Sequence, residues 1–557
     1  MFSKSDVNKF VLRIWGNKIF LILLLFNLLS NGVAVVSYPD VLSVFMIICI
    51  SALSATIESC ICRLFGSEKA RNIAMGVFIA LHLIAAIVDI FLAVNFHLIF
   101  TMDVIGILAE TTPVEIRSFF STYLNITSVL TIALLTFLII WAFIKVACKM
   151  VGKKAIAVAG MVLSLIGVMI YGHTAVMHAT IGEGGKSVSQ LHSFTRLGYA
   201  LMGFRGTYAN ILYMRDVNRD VTASSSLEES PSIILVIGES FSVYHSSLYG
   251  YSKPTNPCLS KRVEDGSMFV FDDVVSASDH TGNVLITLFT ADGSNEPNHN
   301  KIMFPCLFRK AGYKTALVDN QYFVGKGFSW LTDEGLSDLM FDYRNEEDVH
   351  YDMDLFPLIP EFGDPELILI HLFGQHFTYE DRYTPPFKRY TEADYSSTLS
   401  KSEREIVAHY DNSTLYNDYA VDSIIKMYED KNCMIVYLSD HGEEIYEIDD
   451  FMGHGNARFR PTLEYQLRVP LMIWTSPKFR ELYPEVVRRI KESVHRPIIT
   501  KTLPHFLFDV AGIETKYYCP ELSFINESYD ESISRIVLDT INYDKAVKQM
   551  IFDKPRY

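Results

Sequence analysis

Five long apolar stretches in the first third of the chain constrain its fold more than any other feature. They cover residues 19–39, 41–57, 73–102, 118–144 and 155–180, and the one charged side chain among them is Asp89. Each stretch is long enough to cross about 30 Å of hydrocarbon as a helix. The first is too long, and too soon followed by the second, to be a cleaved signal peptide. The sequence therefore predicts a five-span membrane domain over residues 1–180.

Basic residues indicate how these stretches are oriented. They cluster before the first stretch, between the second and third, and between the fourth and fifth. They are Lys4, Lys9, Arg13 and Lys18, then Arg63, Lys69 and Arg71, then Lys145, Lys149, Lys153 and Lys154. The positive-inside rule places these loops and the N-terminus in the cytoplasm. Five crossings then place the rest of the chain on the far side of the membrane.

Residues 181–231 connect the apolar region to the rest of the chain. Aromatic and basic residues alternate over residues 194–213, which is typical of amphipathic helices on a membrane surface and equally of an ordinary connector. The run ASSSLEESPS at residues 223–232 predicts a flexible linker.

From residue 232 onward the pattern changes to short buried strands separated by helical stretches. The predicted strands cover residues 232–237, 314–318, 367–371, 434–438 and 470–474. The fold class is thus a multi-pass α-helical membrane domain followed by an extracytoplasmic α/β domain, residues 232–557, with a mostly parallel central sheet. This second part is strongly acidic, because residues 1–180 hold 12 basic and 8 acidic side chains while the whole chain has net charge −15. An acidic surface excludes nucleic acid as a partner.

Carboxylates and imidazoles follow several of the predicted strands. Glu239 follows the first strand, Asp440 and His441 follow the fourth, and His376 comes shortly after the third; Thr281 opens a helical stretch. Each has an ordinary explanation taken alone, such as a helix start, an N-cap or a loop residue. Because the carboxyl ends of parallel strands form one edge of the sheet, the set together predicts a metal site for zinc or manganese.

The chain resembles the phosphoethanolamine transferases of the bacterial envelope, members of the alkaline phosphatase/sulfatase superfamily, over nearly its whole length. The motifs that carry the resemblance are VIGES at 236–240, LYGY at 248–251, TNP at 255–257, DNQ at 319–321 with KG at 326–327, YDN at 410–412, SDHGE at 439–443 and AGIET at 511–515. Their wording is most similar to the branch that modifies the phosphorylated heptose of the lipopolysaccharide core. The closely spaced cysteine pairs of the lipid A branch are missing.

The resemblance implies roles for particular residues. Glu239, Thr281, Asp440 and His441 match the primary zinc ligands, and Thr281 matches the nucleophile. His376 and His454 match residues around the phosphate or a second, weaker metal position, while Asn320 and Lys326 match substrate contacts. In the loop after the third stretch, Thr111 and Glu115 match a substrate-binding segment, although Thr112 stands where asparagine is common. Zinc is favoured over manganese.

The implied reaction moves phosphoethanolamine from phosphatidylethanolamine to an envelope acceptor, such as a lipopolysaccharide core or lipid A group. It would occur at the periplasmic face of the inner membrane, through a phosphoethanolamine-threonine intermediate with release of diacylglycerol. Ser240, Ser276 and Ser278 stay open as nucleophiles. A glycerol-phosphate transferase acting on phosphatidylglycerol, a phosphodiesterase and a non-catalytic scaffold stay open as functions. Disulfides among Cys258, Cys306, Cys433 and Cys519 also stay open.

Overall fold

The computed structural model divides the chain into two compact units, Met1–Thr207 and Tyr208–Tyr557. The structure describes residues 4–36, 40–96, 99–100, 137, 140–142, 145, 148–181, 191–198, 213–291, 293, 301–321, 340–344, 351–363, 365–459, 462–548 and 556. The predicted span at 118–144 lies almost entirely outside these residues.

The first unit is built from helices. In chain order they are α1 (Lys4–Trp15), α2 (Lys18–Gly32), α3 (Val41–Leu64), α4 (Glu68–Phe96) and α5 (Lys154–Ile181). The last four are long and apolar enough to cross a membrane, and they correspond to four of the five predicted stretches. Helix α3 runs seven residues beyond the predicted end at residue 57, so it includes Glu58.

A polar network joins these helices in their buried interior. Glu58 of α3 accepts a hydrogen bond from Asn27 Nδ2 of α2 at 2.9 Å, and its other oxygen lies 3.0 Å from His82 Nε2 of α4. The opposite nitrogen of His82 lies 2.8 Å from the hydroxyl of Ser30 on α2. All four side chains are buried. Both carboxylate oxygens of Glu58 are therefore hydrogen-bonded, which is what a polar group needs where water is excluded.

Residues 191–198 of the connector pack among the helices of the first unit. Arg196 forms a buried ion pair with Asp89 of α4, whose second oxygen accepts a hydrogen bond from the Phe100 amide at 2.8 Å. The ring of His192 lies 2.8 Å from the Ser54 hydroxyl of α3. Buried polar side chains, His192, Ser193 and Arg196, therefore tie this part of the connector to the helices of the first unit.

The second unit contains a seven-stranded sheet. Its strands are β2 (Ser232–Gly238), β3 (Met268–Phe271), β5 (Lys314–Asp319), β6 (Asp342–Arg344), β7 (Glu366–His371), β8 (Cys433–Ser439) and β11 (Leu471–Thr475), in the order β3-β11-β8-β2-β7-β5-β6. Strands β8, β2, β7, β5 and β6 pair in parallel, while β11 is antiparallel to both neighbours. All five predicted strands are present and the sheet is mostly parallel, with one reversed strand.

The central strand β2 is buried on both faces because its side chains alternate between two cores. Ile233, Leu235 and Ile237 belong to one core, and Ile234 and Val236 belong to the other. Such a strand is typical of a parallel sheet covered by helices on each side. The helices of this unit whose bounds lie within the described residues are α6 (Pro257–Glu264), α7 (Thr281–Phe289), α8 (Phe304–Lys310), α9 (Lys401–Tyr428), α10 (Leu463–Leu467), α11 (Pro477–Leu482), α12 (Pro484–Glu492), α13 (Leu503–Ala511) and α14 (Tyr543–Lys548).

Short strand pairs complete the unit. They are β1 (Ser224–Ser225) with β13 (Ile513–Glu514), β4 (Val274–Val275) with β12 (Ile498–Ile499), β9 (Glu444–Ile445) with β10 (Met452–Gly453), and β14 (Ile536–Val537) with β15 (Ile541–Asn542). Strand β1 lies in the segment predicted as a flexible linker, where Ser224 and Ser225 pair with β13. Among the residues that the structure describes, which include all eight cysteines, there is no disulfide.

Candidate metal centre

The pairing of β2 with β8 brings two acids to one edge of the sheet. Gly238 pairs with Ser439, so the next residues, Glu239 and Asp440, leave the sheet side by side. The Asp440 amide donates to the Gly238 carbonyl at 3.1 Å, which fixes this exit. Ser240 follows with φ of 55°, a left-handed conformation that is costly for a residue with a side chain. Both acids are fully buried.

His441 completes a compact cluster with these acids. Its Nε2 lies 3.3 Å from Glu239 Oε1 and 3.2 Å from Asp440 Oδ2. Its Nδ1 lies 2.9 Å from the carbonyl oxygen of Gly442, the arrangement in which Nδ1–H donates and Nε2 is left to coordinate. The His454 ring lies 4.0 Å from the His441 ring, and ligand atoms of Glu239, His441 and His454 lie within 4.8 Å of one another.

The donor set fits a divalent metal. Asp440 Oδ2 is buried and accepts no hydrogen bond within the described part of the chain. A buried carboxylate oxygen without a donor is costly, and a cation satisfies it. Two carboxylates, one imidazole with its second nitrogen hydrogen-bonded, and a nearby hydroxyl are oxygen and nitrogen ligands of the kind that zinc accepts. Glu239, Asp440 and His441 would hold such an ion.

The electrostatics of the cluster agree with this interpretation. Burial and the neighbouring Glu239 carboxylate raise the pKa of Asp440 to about 7. Burial opposes ionisation of Glu239 as well, but the nearby His441 outweighs it and lowers the pKa of Glu239 well below its ordinary value. Burial alone would lower the pKa of His441, yet Asp440 and Glu239 raise it to about 10. Asp440 and His441 therefore bind protons in the absence of metal, and a metal cation would compete with those protons.

Thr281 brings a hydroxyl to the cluster. It is the first residue of α7, with His280 at the N-cap. Its Oγ1 donates to Glu239 Oε2 at 3.1 Å and lies 3.4 Å from His441 Nε2. The N-terminus of a helix attracts anions through its free amides and its dipole. Thr281 therefore combines a ligand position with a site suited to a phosphate.

The three serines left open as nucleophiles lie in different surroundings. Ser240 is fully buried, and its hydroxyl donates to Glu239 Oε1 at 2.7 Å. Ser276 Oγ accepts from the Ser278 amide at 3.4 Å, and the Ser276 amide donates to Leu467. Thr281 is partly exposed. Of the hydroxyls at Glu239, that of Thr281 is the more accessible.

Two further histidines, His454 and His376, lie near the cluster in different surroundings. His454 Nδ1 lies 2.5 Å from Glu443 Oε2, and Glu443 also accepts from the Tyr379 hydroxyl, so the imidazole is held in one orientation. His376 packs between the rings of Phe373 and Phe377. Burial lowers the pKa of His376 to about 3, so this ring is neutral at neutral pH.

Glycine at position 374 allows the loop of His376 to approach Glu239. Gly374 has φ of 51°, and a Cβ there would lie 2.8 Å from the Glu239 backbone nitrogen. The Gln375 amide donates to the Glu239 carbonyl at 3.0 Å. The close approach therefore requires a residue without a side chain at 374.

The DNQ motif also brings Gln321 to Glu239, while the substrate contact expected of Asn320 stays a prediction. Asn320 is buried and donates to Asp352 Oδ1 at 2.8 Å. The next residue, Gln321, donates to Glu239 Oε2 at 2.8 Å and to the Leu372 carbonyl at 3.0 Å. Gln321 and Glu443 are thus residues of the candidate site that the sequence analysis missed, although they lie in the DNQ and SDHGE motifs. Thr111, Glu115 and Lys326 lie outside the described residues, and their roles stay predictions.

Comparisons with known proteins show the family of the chain. Residues 231–513 match the family described as Sulfatase, and the chain belongs to that family. A phosphoethanolamine transferase EptC of Escherichia coli O18:K1:H7 is 32% identical over 324 residues, which are 55% of this chain and 55% of that protein. The chain thus spans about half the length of the curated relatives it matches.

Two solved structures are similar to the chain. The C-terminal periplasmic domain of EcEptC from Escherichia coli has TM-score 0.51 and 27% identity, covering 58% of this chain and 96% of its own. The integral membrane protein lipooligosaccharide phosphoethanolamine transferase A from Neisseria meningitidis has TM-score 0.59 and 17% identity, covering 91% of this chain and 97% of its own. The second similarity concerns the fold alone, and it extends over the membrane helices.

Proposed function

We propose that this protein transfers phosphoethanolamine from a phosphatidylethanolamine-type lipid to an acceptor group on an envelope glycolipid. The observation that carries the proposal is the Thr281 hydroxyl, which lies at a helix N-terminus against Glu239 and His441. The names of the relatives, phosphoethanolamine transferases, support the choice of transferred group. The apolar helices would keep the site near its lipid donor, with the N-terminus in the cytoplasm and the catalytic domain in the periplasm.

The chemistry follows from the arrangement of side chains. Zinc, when bound, lowers the pKa of a coordinated hydroxyl and stabilises negative charge on phosphate oxygens. Thr281 Oγ1 loses its proton toward Glu239 and forms a bond to phosphorus while the bond from phosphorus to the diacylglycerol oxygen breaks, leaving phosphoethanolamine on the threonine. An acceptor oxygen then attacks the same phosphorus, the bond from phosphorus to Oγ1 breaks, and a proton returns to Oγ1 to restore the free hydroxyl. The scheme is ping-pong.

The departing diacylglycerol oxygen needs a proton. His454 is oriented by Glu443 and lies beside His441, so it is the better placed of the two histidines to supply that proton. His376 is neutral at neutral pH and is suited to a hydrogen bond with the phosphate. Lys326 would contact the phosphate, and Thr111 and Glu115 would hold the ethanolamine.

Intact-mass analysis tests the proposal. The purified full chain is incubated with phosphatidylethanolamine micelles and zinc, alongside Thr281→Ala, Thr281→Ser and Ser240→Ala. We expect an adduct of phosphoethanolamine mass on the wild type, on Thr281→Ser and on Ser240→Ala, and none on Thr281→Ala. An adduct on Thr281→Ala would show that a residue other than Thr281 is the nucleophile. An adduct formed instead from phosphatidylglycerol would favour glycerol-phosphate transfer.

A further inference from the structure

A second cleft, of about 390 Å³, opens in the catalytic unit away from the metal centre. Its walls include five tyrosines and two acids: Tyr244, Tyr249, Tyr251, Tyr395, Tyr465, Glu447 and Asp394. None of Glu239, Thr281, Asp440, His441 and His454 lines it. Its volume lies within the range of small-molecule sites.

The floor of the cleft carries buried charge. His245 Nδ1 lies 2.6 Å from Asp411 Oδ1, and His245 Nε2 lies 3.6 Å from Glu447 Oε1. Asp411 Oδ2 accepts hydrogen bonds from the hydroxyls of Tyr251 at 2.8 Å and Tyr395 at 2.6 Å. His245, Asp411 and Glu447 are all at most 3% exposed. Asp411 therefore has three hydrogen-bonding partners, whereas Glu447 lies farther from His245 than Asp411 does.

The floor of the cleft holds two carboxylates for one imidazole. Burial alone would lower the pKa of His245, but Asp411 and Glu447 raise it to about 9, so the ring contributes one positive charge against two carboxylates. Glu447 Oε1 accepts no hydrogen bond within the described residues, while its other oxygen accepts from the Ile445 amide. His245 Nε2, 3.6 Å from that oxygen, is shared between two carboxylates, so a second cation at Glu447 would lower the cost of burying it.

The remaining charged residues at the cleft do not supply that cation. Lys253 donates to the backbone carbonyl of Asp394 at 2.8 Å, and its ammonium lies 4.6 Å from the centre of the Tyr395 ring. The Asp394 carboxylate is exposed and accepts from Thr391. Lys253 also shows that a tyrosine face of this cleft accommodates an ammonium group.

We propose that this cleft binds a small organic ammonium ion, with tyrosine faces around its cationic group and Glu447 as its counter-charge. Aromatic faces attract ammonium groups through the ring quadrupole, and a carboxylate adds a charge-assisted hydrogen bond. A divalent metal fits less well, because Asp411 is already saturated by donors and Glu447 alone offers an oxygen without one. An anion is excluded by the net negative charge. The amine belongs to a lipid headgroup or to an amino sugar.

Calorimetric titration of the full chain in detergent tests the site. Ethanolamine and glucosamine are the probes, and ethylene glycol and glucose are their uncharged counterparts. We expect at least one amine to bind about tenfold or more tightly than its counterpart. Binding of ethanolamine alone assigns the site to a headgroup amine, whereas binding of glucosamine assigns it to a glycan amine. Equal binding of charged and uncharged partners would overturn the proposal.

Variants locate the binding. Glu447→Gln weakens binding of the amine about tenfold or more, while Asp394→Asn, which removes an exposed acid nearby, changes it by less than about threefold. Tyr395→Leu removes a ring and weakens binding, and it replaces Glu447→Gln as the test if that variant does not fold. Tyr395→Phe keeps the ring and is the matched control for Tyr395→Leu. Thr281→Ala removes the proposed nucleophile but leaves the affinity of the cleft for the amine unchanged. Amine binding can therefore be measured independently of the proposed transfer. Unaltered binding in both Glu447→Gln and Tyr395→Leu, or its loss in Thr281→Ala, would contradict the proposal.

Discussion

Two buried acids of the membrane unit and one buried acid of the candidate metal centre differ in how their oxygens are paired. In the membrane unit, both oxygens of Glu58 and both oxygens of Asp89 have donors, including the imidazole of His82 and the guanidinium of Arg196. In the catalytic unit, Asp440 has one buried oxygen with no hydrogen bond among the described residues. Burial is equally deep in both places, so burial does not distinguish them.

The difference is completeness of pairing. A buried acid whose oxygens are all satisfied holds helices together and offers nothing to a ligand. A buried acid with an unsatisfied oxygen, placed beside a second acid and an imidazole, keeps its energetic cost until a cation binds. We therefore interpret the first set as structural and the second as a metal site.

The largest expected effect is the removal of a metal ligand. Glu239→Gln keeps the shape of the side chain but removes the charge that the Thr281 hydroxyl contacts and that the proposed metal would need. We expect bound zinc to fall well below one per chain and the transfer rate to fall at least about 10³-fold. Metal analysis of the purified protein and a transfer assay measure these changes. Glu228→Gln, which neutralises an exposed acid of the same unit, should change neither; full metal content in Glu239→Gln would contradict the assignment.

The next effect concerns stability of the membrane unit. Arg196→Met leaves the buried carboxylate of Asp89 without its cation, and we expect a loss of about 3–5 kcal/mol in the free energy of unfolding. The double variant Asp89→Leu with Arg196→Met removes both charges and should recover most of that loss. Unfolding in detergent, followed by intrinsic fluorescence, provides the measurement.

A matched exposed pair sharpens this test. Lys401 and Glu405 form an ion pair one helical turn apart on the surface of α9, with side chains 69% and 46% exposed. Lys401→Met should cost no more than about 0.5 kcal/mol. If Arg196→Met cost as little, the membrane pair would not be the structural element that we describe.

The sequence was most informative where the required inference was local. Glu239 and Asp440 each follow an apolar strand directly, and parallel strands end at one edge, so their meeting could be predicted without any knowledge of register. The reversed direction of β11 could not be predicted, because an apolar run has the same periodicity in either direction. The choice between Asn320 and Gln321 depended on how the backbone turns after β5, which a motif does not specify.

Long-range pairing set the other limit. Glu58 follows an uncharged run directly, so a reading by hydropathy ends the span one residue before it. Its partners Asn27 and His82 belong to other helices, and Asp89 meets a guanidinium 107 positions away. No local pattern connects such residues, which is why Asp89 had no assigned partner at the level of sequence.

The dependence of metal affinity on pH separates the two kinds of buried acid. Without metal, His441 holds a proton up to about pH 10 and Asp440 holds one up to about pH 7, so zinc must displace one proton between these values and two below pH 7. Its affinity should therefore rise about tenfold per pH unit above pH 7 and more steeply below it. Competition titrations with a zinc chelator from pH 6 to 8.5 measure this slope. Asp440→Asn removes one of the two protons, so the residual binding in that variant should lose the steeper part of the curve. If zinc affinity did not change with pH over this range, the metal would not bind at the cluster of Glu239, Asp440 and His441. The contrast with the fully paired acids of the membrane unit would then fail.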